Sequence, residues 1–214
     1  MNKGELRAHL IALLNRSDCT NALADTFIDQ AVFRITRVLR IPSMEKTQTY
    51  DVANDVSGVS SINLPVDFIE PIDIYSEGKP LVRLPLHEMV EAQKTNQQGT
   101  PVFFTRVQGT YLVYPKPSTG TIVLNYYASF ATLSSDSSTN TLTTLGPDLL
   151  IYTALSYAAD YFIDERGPQF DAKSSQFLAE IQQQADSAEM SGGIQVMRPS
   201  KTYTDWWLGN RRYE

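Results

Sequence analysis

Two places in the chain hold acid and imidazole groups at spacings that chemistry uses. His87-Glu88-Met89-Val90-Glu91 begins as the helical zinc-protease motif does, in which two histidines one turn apart grip the metal and a glutamate between them activates water. The position that the second histidine needs holds Glu91, so the ligand set fails. Asp160 and Asp164 stand one helical turn apart with Glu165 beside them, a spacing able to share a cation or a proton. The same spacing occurs on the wet edge of a helix, where Arg166 is at hand as a partner. No Gly-x-Gly-x-x-Gly, phosphate loop, Gly-x-Ser-x-Gly or local Cys-His-Asp set occurs. Two histidines, His9 and His87, and one cysteine, Cys19, leave few candidates for a general base or nucleophile. His9 falls on the polar side of the first helix and is expected at the surface. The expectation is a protein that is not an enzyme and uses no metal and no cofactor. The alternative beside it is a metal-dependent hydrolase built on Asp160, Asp164 and Glu165.

At 214 residues the chain suits one large domain, or a core with an inserted module, and buries enough apolar surface to need no staples. A single cysteine forms no internal disulfide and brings no thiol partner for zinc, which fits a reducing compartment. Met1–Arg16 is interrupted by Glu5, Arg7 and His9 and does not read as a signal peptide. No apolar run reaches the roughly twenty residues of a membrane span, so a soluble protein with no membrane partner is expected. The formal charge of −6 argues against a protein that coats phosphate backbones, which needs a basic excess. The last twenty residues differ from the body: Arg198, Lys201, Arg211 and Arg212 face only Asp205 and Glu214. Tyr203, Trp206, Trp207 and Tyr213 lie there too, and with them both tryptophans of the chain. Adjacent tryptophans expose a large apolar area unless something receives them, so Tyr203, Trp206, Trp207, Arg211 and Arg212 are expected to dock, either onto this chain or onto a partner.

The elements that must carry these residues are read from periodicity. Leu6, Leu10, Ile11 and Leu14 share one face of a helix over 4–15, with Lys3, Glu5 and Arg7 elsewhere. Ser17-Asp18-Cys19-Thr20-Asn21 offers caps for a second helix reaching Arg40, with a stripe of Ala24, Phe27, Ala31, Ile35 and Val38, and Pro42 as terminator. Arg34, Arg37 and Arg40 sit three apart near its end. They are read either as solvated cations complementing the helix dipole or as a positive stripe facing DNA or an acidic partner. After Glu45 the texture turns to short strands, expected near 47–52, 60–63, 69–75, 79–84, 101–107, 110–114 and 121–128. A short helix opened by Pro85 is expected over 86–94. Strands at this spacing predict a small antiparallel sandwich or curled sheet. Exposed Tyr126, Tyr127 or Phe103 would make it a carbohydrate- or protein-binding platform, a further alternative. The run from Phe130 to Gly146 is dominated by Ser, Thr, Asn and Asp and reads as a solvated loop. Gly146-Pro147-Asp148 suits the start of a helix. Leu149, Leu150, Ile151, Ala154, Leu155, Tyr157, Ala158, Tyr161 and Phe162 spread apolar surface round most of its circumference, the pattern of a helix covered on several sides. Gly167-Pro168 restarts the pattern, which predicts an αα-hairpin with a half-exposed second arm. Ser191-Gly192-Gly193 is read as a hinge to the tail.

The fold class expected from this order is α+β: a helical bundle of N-terminal helices and a long C-terminal αα-hairpin, an inserted antiparallel β module, and an extended C-terminal tail. The segments are 1–45 for the N-terminal helices, 46–131 for the β module, 132–146 for the polar loop, 147–191 for the helical hairpin and 192–214 for the tail.

Four stretches resemble the head-to-tail adaptor (head completion, or connector) proteins of tailed bacteriophages. They are Arg37-Val38-Leu39-Arg40-Ile41-Pro42-Ser43-Met44-Glu45; Ile62-Asn63-Leu64-Pro65-Val66-Asp67-Phe68 ahead of Tyr75 and Gly78-Lys79-Pro80-Leu81; Leu112-Val113-Tyr114-Pro115-Lys116-Pro117 leading to Thr121 to Tyr127; and Thr139-Asn140-Thr141-Leu142 followed by 147–155. These are turn and packing signatures, and their shared order from about Gly4 to Met190 carries the likeness. The resemblance implies a virion structural protein at the capsid vertex, made in the host bacterial cytoplasm. It implies a homo-oligomeric ring, usually of twelve, beneath the portal protein, which extends the DNA channel, helps retain packaged DNA and gives the tail or nozzle protein a docking surface. Packaged DNA would pass through without sequence readout.

Overall fold

The computed structural model describes residues 1–51 and 60–190 of the chain, with backbone alone at 189–190. Among these the architecture is α+β, with six α-helices, one 3-10 turn and eight strands in two four-stranded sheets. Contacts divide the described chain into a helical unit, Met1–Glu45 with Ala128 onward, and a β unit, Lys46–Tyr127.

In the helical unit Asn2 opens α1 (Lys3–Leu14) through a capping box with Glu5, and Asn15 closes it in the left-handed conformation at φ 52°. Leu6, Leu10 and Leu14 are fully buried, and Lys3 shares their face at 8% exposure. This departs from the expected placing of Lys3 off the apolar stripe. Its long apolar stem lies along the core while its ammonium donates to the Leu133 carbonyl at 2.9 Å. Ile11 is only half-buried.

The second helix, α2 (Asn21–Val38), is capped by the Thr20 hydroxyl, which accepts the Leu23 N–H. It buries Ala24, Phe27, Ile28, Ala31 and Ile35. Val38, expected in the stripe, is 58% exposed. The helix stops there, and the extended segment beyond it turns Leu39 and Ile41 inward instead. Pro42 is the first residue of a 3-10 turn, Pro42–Met44, and not the direct terminator of α2.

The β unit begins with β1 (Glu45–Asp51) and continues through β2 (Ser61–Asn63), β3 (Phe68–Ser76), β4 (Lys79–Pro80), β5 (Val82–Arg83), α3 (Leu86–Gln93), β6 (Phe103–Val107), β7 (Thr110–Tyr114) and β8 (Thr121–Ala128). One sheet runs β1-β8-β3-β4 and the other β2-β7-β6-β5. The single strand expected over 79–84 is two strands in two sheets. Leu81 N–H donates to the Ile74 carbonyl in one sheet, and Val82 N–H to the Val102 carbonyl in the other, both at 2.8 Å. The chain therefore changes sheet at the buried Leu81. The second sheet is also not purely antiparallel, because β5 runs parallel to β6. Ile62, Tyr111, Val113, Ile122, Leu124 and Tyr126 fill the core of this unit.

Past the β unit the expected polar loop contains a helix, α4 (Thr141–Leu145), opened by a capping box between Asn140 and Thr143. Leu133, Leu142 and Thr143 are buried. The Asn and Thr side chains that make the segment look solvated satisfy its own backbone. Two longer helices follow, α5 (Pro147–Phe162) and α6 (Gly167–Met190). Helix α5 buries nine residues from Leu149 to Ala159 because α1, α2, α4 and α6 all pack on it. Its last turn emerges, and Tyr161 is 62% exposed.

Candidate functional site

The carboxylates singled out in the sequence meet where α5 ends. Ile163 leaves the helix in the left-handed conformation at φ 54°, and the Asp164 N–H returns to the Ala159 carbonyl at 2.9 Å. A cleft of about 590 Å³ lies there, lined among others by Arg34, Ser156, Asp160, Asp164, Glu165 and Asp171. So Asp160, Asp164 and Glu165 do share a wall.

Two of the acids in that wall, Asp164 and Asp171, are already engaged by arginines. Arg166 grips both oxygens of Asp164, at 2.6 Å and 3.1 Å, and its backbone N–H donates to the same carboxylate. These bonds, the guanidinium's first, hold the Asp164 carboxyl down at about 2. A carboxylate so depressed is a poor base at neutral pH. The guanidinium also donates to the carbonyls of Leu13 and Leu14, which are orphan acceptors at the end of α1. Asp171 receives Arg34 at 2.9 Å. Among the described residues no three His, Cys, Asp or Glu side chains come together as a metal site. The geometry therefore assembles a packing joint around Arg166 and Arg34.

Of the other sequence candidates, His87 Nε2 and Glu88 Oε1 stand 3.8 Å apart. His87 and Glu88 are exposed on α3, their side chains 80% and 53% accessible, while Glu91 pairs with Lys94. His9 is exposed. Arg34 also donates to the Ser156 hydroxyl at 3.5 Å, so it ties α2 to both α5 and α6. Arg40 donates to the carbonyls of Thr36 and Leu39, and its own backbone exchanges two bonds with the Gln182 amide. Arg37 is exposed and has no partner among the described residues. The three arginines thus do not work as one set. Tyr126 is buried and donates its hydroxyl to Asp67 at 3.0 Å. Burial first, and that bond second, push its pKa up to about 12. Tyr127 and Phe103 are half-buried, and no exposed aromatic platform is formed by the three. Tyr203, Trp206, Trp207, Arg211 and Arg212 lie outside the described residues.

The sequence reading missed a cluster in the helical unit. Arg7 forks onto Asp25 at 2.6 Å and 2.9 Å and also reaches Asp136, while Lys3 stands 3.9 Å from both Asp25 and Asp29. Bases four apart on α1 opposite acids four apart on α2 were the available signal.

Such joints hold a scaffold together, and the comparison with known families agrees. The family model described as SU10 adaptor protein matches residues 1–200. The chain belongs to the SU10 adaptor protein family. No curated protein matches the sequence. The membership is consistent with a phage head-to-tail adaptor and with a structural component of the virion that meets other head and tail proteins. For an adaptor it implies a non-enzymatic role. Among the described residues no helix is long and apolar enough to cross a membrane.

Proposed function

We propose that this adaptor assembles as a ring, twelve-fold in the usual case, beneath the portal at the capsid vertex. There it extends the DNA channel, helps hold the packaged genome and offers the tail or nozzle protein its docking surface. The observation that carries this reading is the family match over residues 1–200. In this reading the helices, with α5 and α6 as the hairpin of a bundle, form the body of each subunit, and the β module is an insertion into it. A ring of identical subunits has a head-to-tail interface, in which each copy presents two different patches. A formal charge of −6 keeps unassembled copies apart and lets DNA slide along the lumen without sticking. The tail of residues 192–214, with Tyr203, Trp206, Trp207, Arg211 and Arg212, is the arm that reaches a neighbour or the portal.

The test is mass and shape in solution, by light scattering and negative-stain microscopy, on the protein alone and mixed with portal rings from the same source. An annulus stacked on the portal supports the reading. A protein that ignores the portal and stays a small particle overturns it.

A further inference from the structure

Half of the eight arginines among the described residues are committed to an acid. Arg7, Arg16, Arg34 and Arg166 each hold a carboxylate. Arg83 and Arg106 in the β unit do not: both are exposed, and neither forms an ion pair among the described residues. The sheet places them on adjacent strands, two register positions apart. Arg106 is opposite Tyr111 across the β6–β7 pair, and Arg83 is opposite Phe104 across the parallel β5–β6 pair. Phe104 and Arg106 are two residues apart on β6, so Arg83, Phe104, Arg106 and Tyr111 share one face.

Tyr111 lies beneath them. Only 2% of it is exposed, and its ring is held edge-on by Phe104 at 5.3 Å and Phe68 at 6.1 Å. Its hydroxyl has no hydrogen-bond partner among the described residues. Since no fully buried side-chain polar atom there is left unpaired, this hydroxyl is the point where a buried ring reaches solvent. The Arg106 guanidinium stands 5.8 Å over the Phe68 ring, a contact that fixes its position. Burial raises the Tyr111 pKa, while the charges of Arg106 and Arg83 pull it down, so both guanidiniums act at the hydroxyl. Neither guanidinium has a carboxylate partner among the described residues, so an anion reaching this face meets two uncompensated positive charges.

We propose that Arg83, Arg106 and the Tyr111 hydroxyl form an oxyanion-binding site that takes a carboxylate from an acidic segment of a partner protein. Everything that converges there donates: two planar forks suited to a carboxylate, and a phenol O–H. The alternative anion, a DNA phosphate, is disfavoured because backbone binding needs a broad basic surface and this chain carries a net −6. The site stands on the β unit alone and does not depend on ring formation.

The experiment titrates the full-length 15N-labelled protein with hexaglutamate peptide at low salt, following the arginine side-chain Nε–H signals and fitting an affinity. Expected are saturable shifts at Arg83 and Arg106, and a loss of roughly tenfold in affinity for R83Q and for R106Q, with melting temperatures unchanged. Y111F keeps the aromatic packing and loses a few-fold. K79Q, an exposed charge elsewhere in the β unit, binds as the wild type does. Absence of saturation, or an equal loss in K79Q, overturns the proposal. So does duplex DNA that binds more tightly than the peptide and loses its binding in the same two variants, since the site would then read phosphate.

Discussion

Thr153 Oγ1 and Ser174 Oγ lie 2.7 Å apart, sealed between α5 and α6, with 1% and 4% of the two residues exposed. The direction of this bond follows from the neighbours. Thr153 donates its only proton to the Leu149 carbonyl at 2.7 Å, so Ser174 must donate to Thr153. The two truncations are therefore unequal. Thr153→Val leaves the Ser174 proton without an acceptor and costs about 1–3 kcal/mol, whereas Ser174→Ala leaves Thr153 donating as before and costs under about 1 kcal/mol. The double variant regains most of the Thr153→Val loss. Urea unfolding of the three variants measures this, and equal costs for the two single changes would reject the assigned direction.

The Arg7 cluster predicts a second inequality. The side chain of Arg7 is 14% exposed and that of Asp25 26%, but Asp136 is 70% exposed. Asp25→Ala removes a bidentate partner from a mostly covered guanidinium and one of the two counter-charges 3.9 Å from buried Lys3. A loss of about 2–3 kcal/mol follows, somewhat discounted from the fully buried case. Asp136→Ala breaks a pair that water already screens and costs less than Asp25→Ala. Denaturant midpoints at neutral pH and moderate salt distinguish the two, and a larger loss at Asp136 would overturn the ranking.

What the sequence made legible was local. Thr20, Pro85, Pro147 and Gly167 punctuate helices through their own backbones or their immediate neighbours, and each marks a helix start in the structure. What it hid depends on distant partners. Arg34 read as part of a stripe because its partner, Asp171, lies 137 residues away, and the backbone of Arg40 is held by Gln182, 142 residues away. The crossing at Leu81 was invisible because Lys79 to Leu84 reads as one alternating strand, whichever sheet receives each half. The α4 helix was hidden by composition, since Asn and Thr cap a helix and solvate a loop equally well. Arg83 and Arg106 are twenty-three positions apart, and only the parallel β5–β6 register brings them together.

Acid titration gives the last prediction. The Asp164 carboxyl sits at about 2 in the folded protein because Arg166 grips it, against about 3.9 in an unfolded chain. A depressed carboxylate contributes stability that is fully present above the unfolded value and is lost as pH falls through the folded one. The contribution of this pair is therefore complete at pH 5 and above, and declines between about pH 4 and pH 2. Asp164→Asn cannot titrate and has lost the ionic grip at every pH. It should be less stable than the wild type at pH 6, and the gap should narrow steadily between about pH 4 and pH 2. Asp18 and Asp136 are also depressed by their arginines, so the wild-type protein keeps losing stability with acid in either background. What isolates Asp164 is the difference between the two chains, read from thermal or urea unfolding at half-unit steps. A gap that stays constant down to pH 2 would show that Arg166 holds α1 through the Leu13 and Leu14 carbonyls alone.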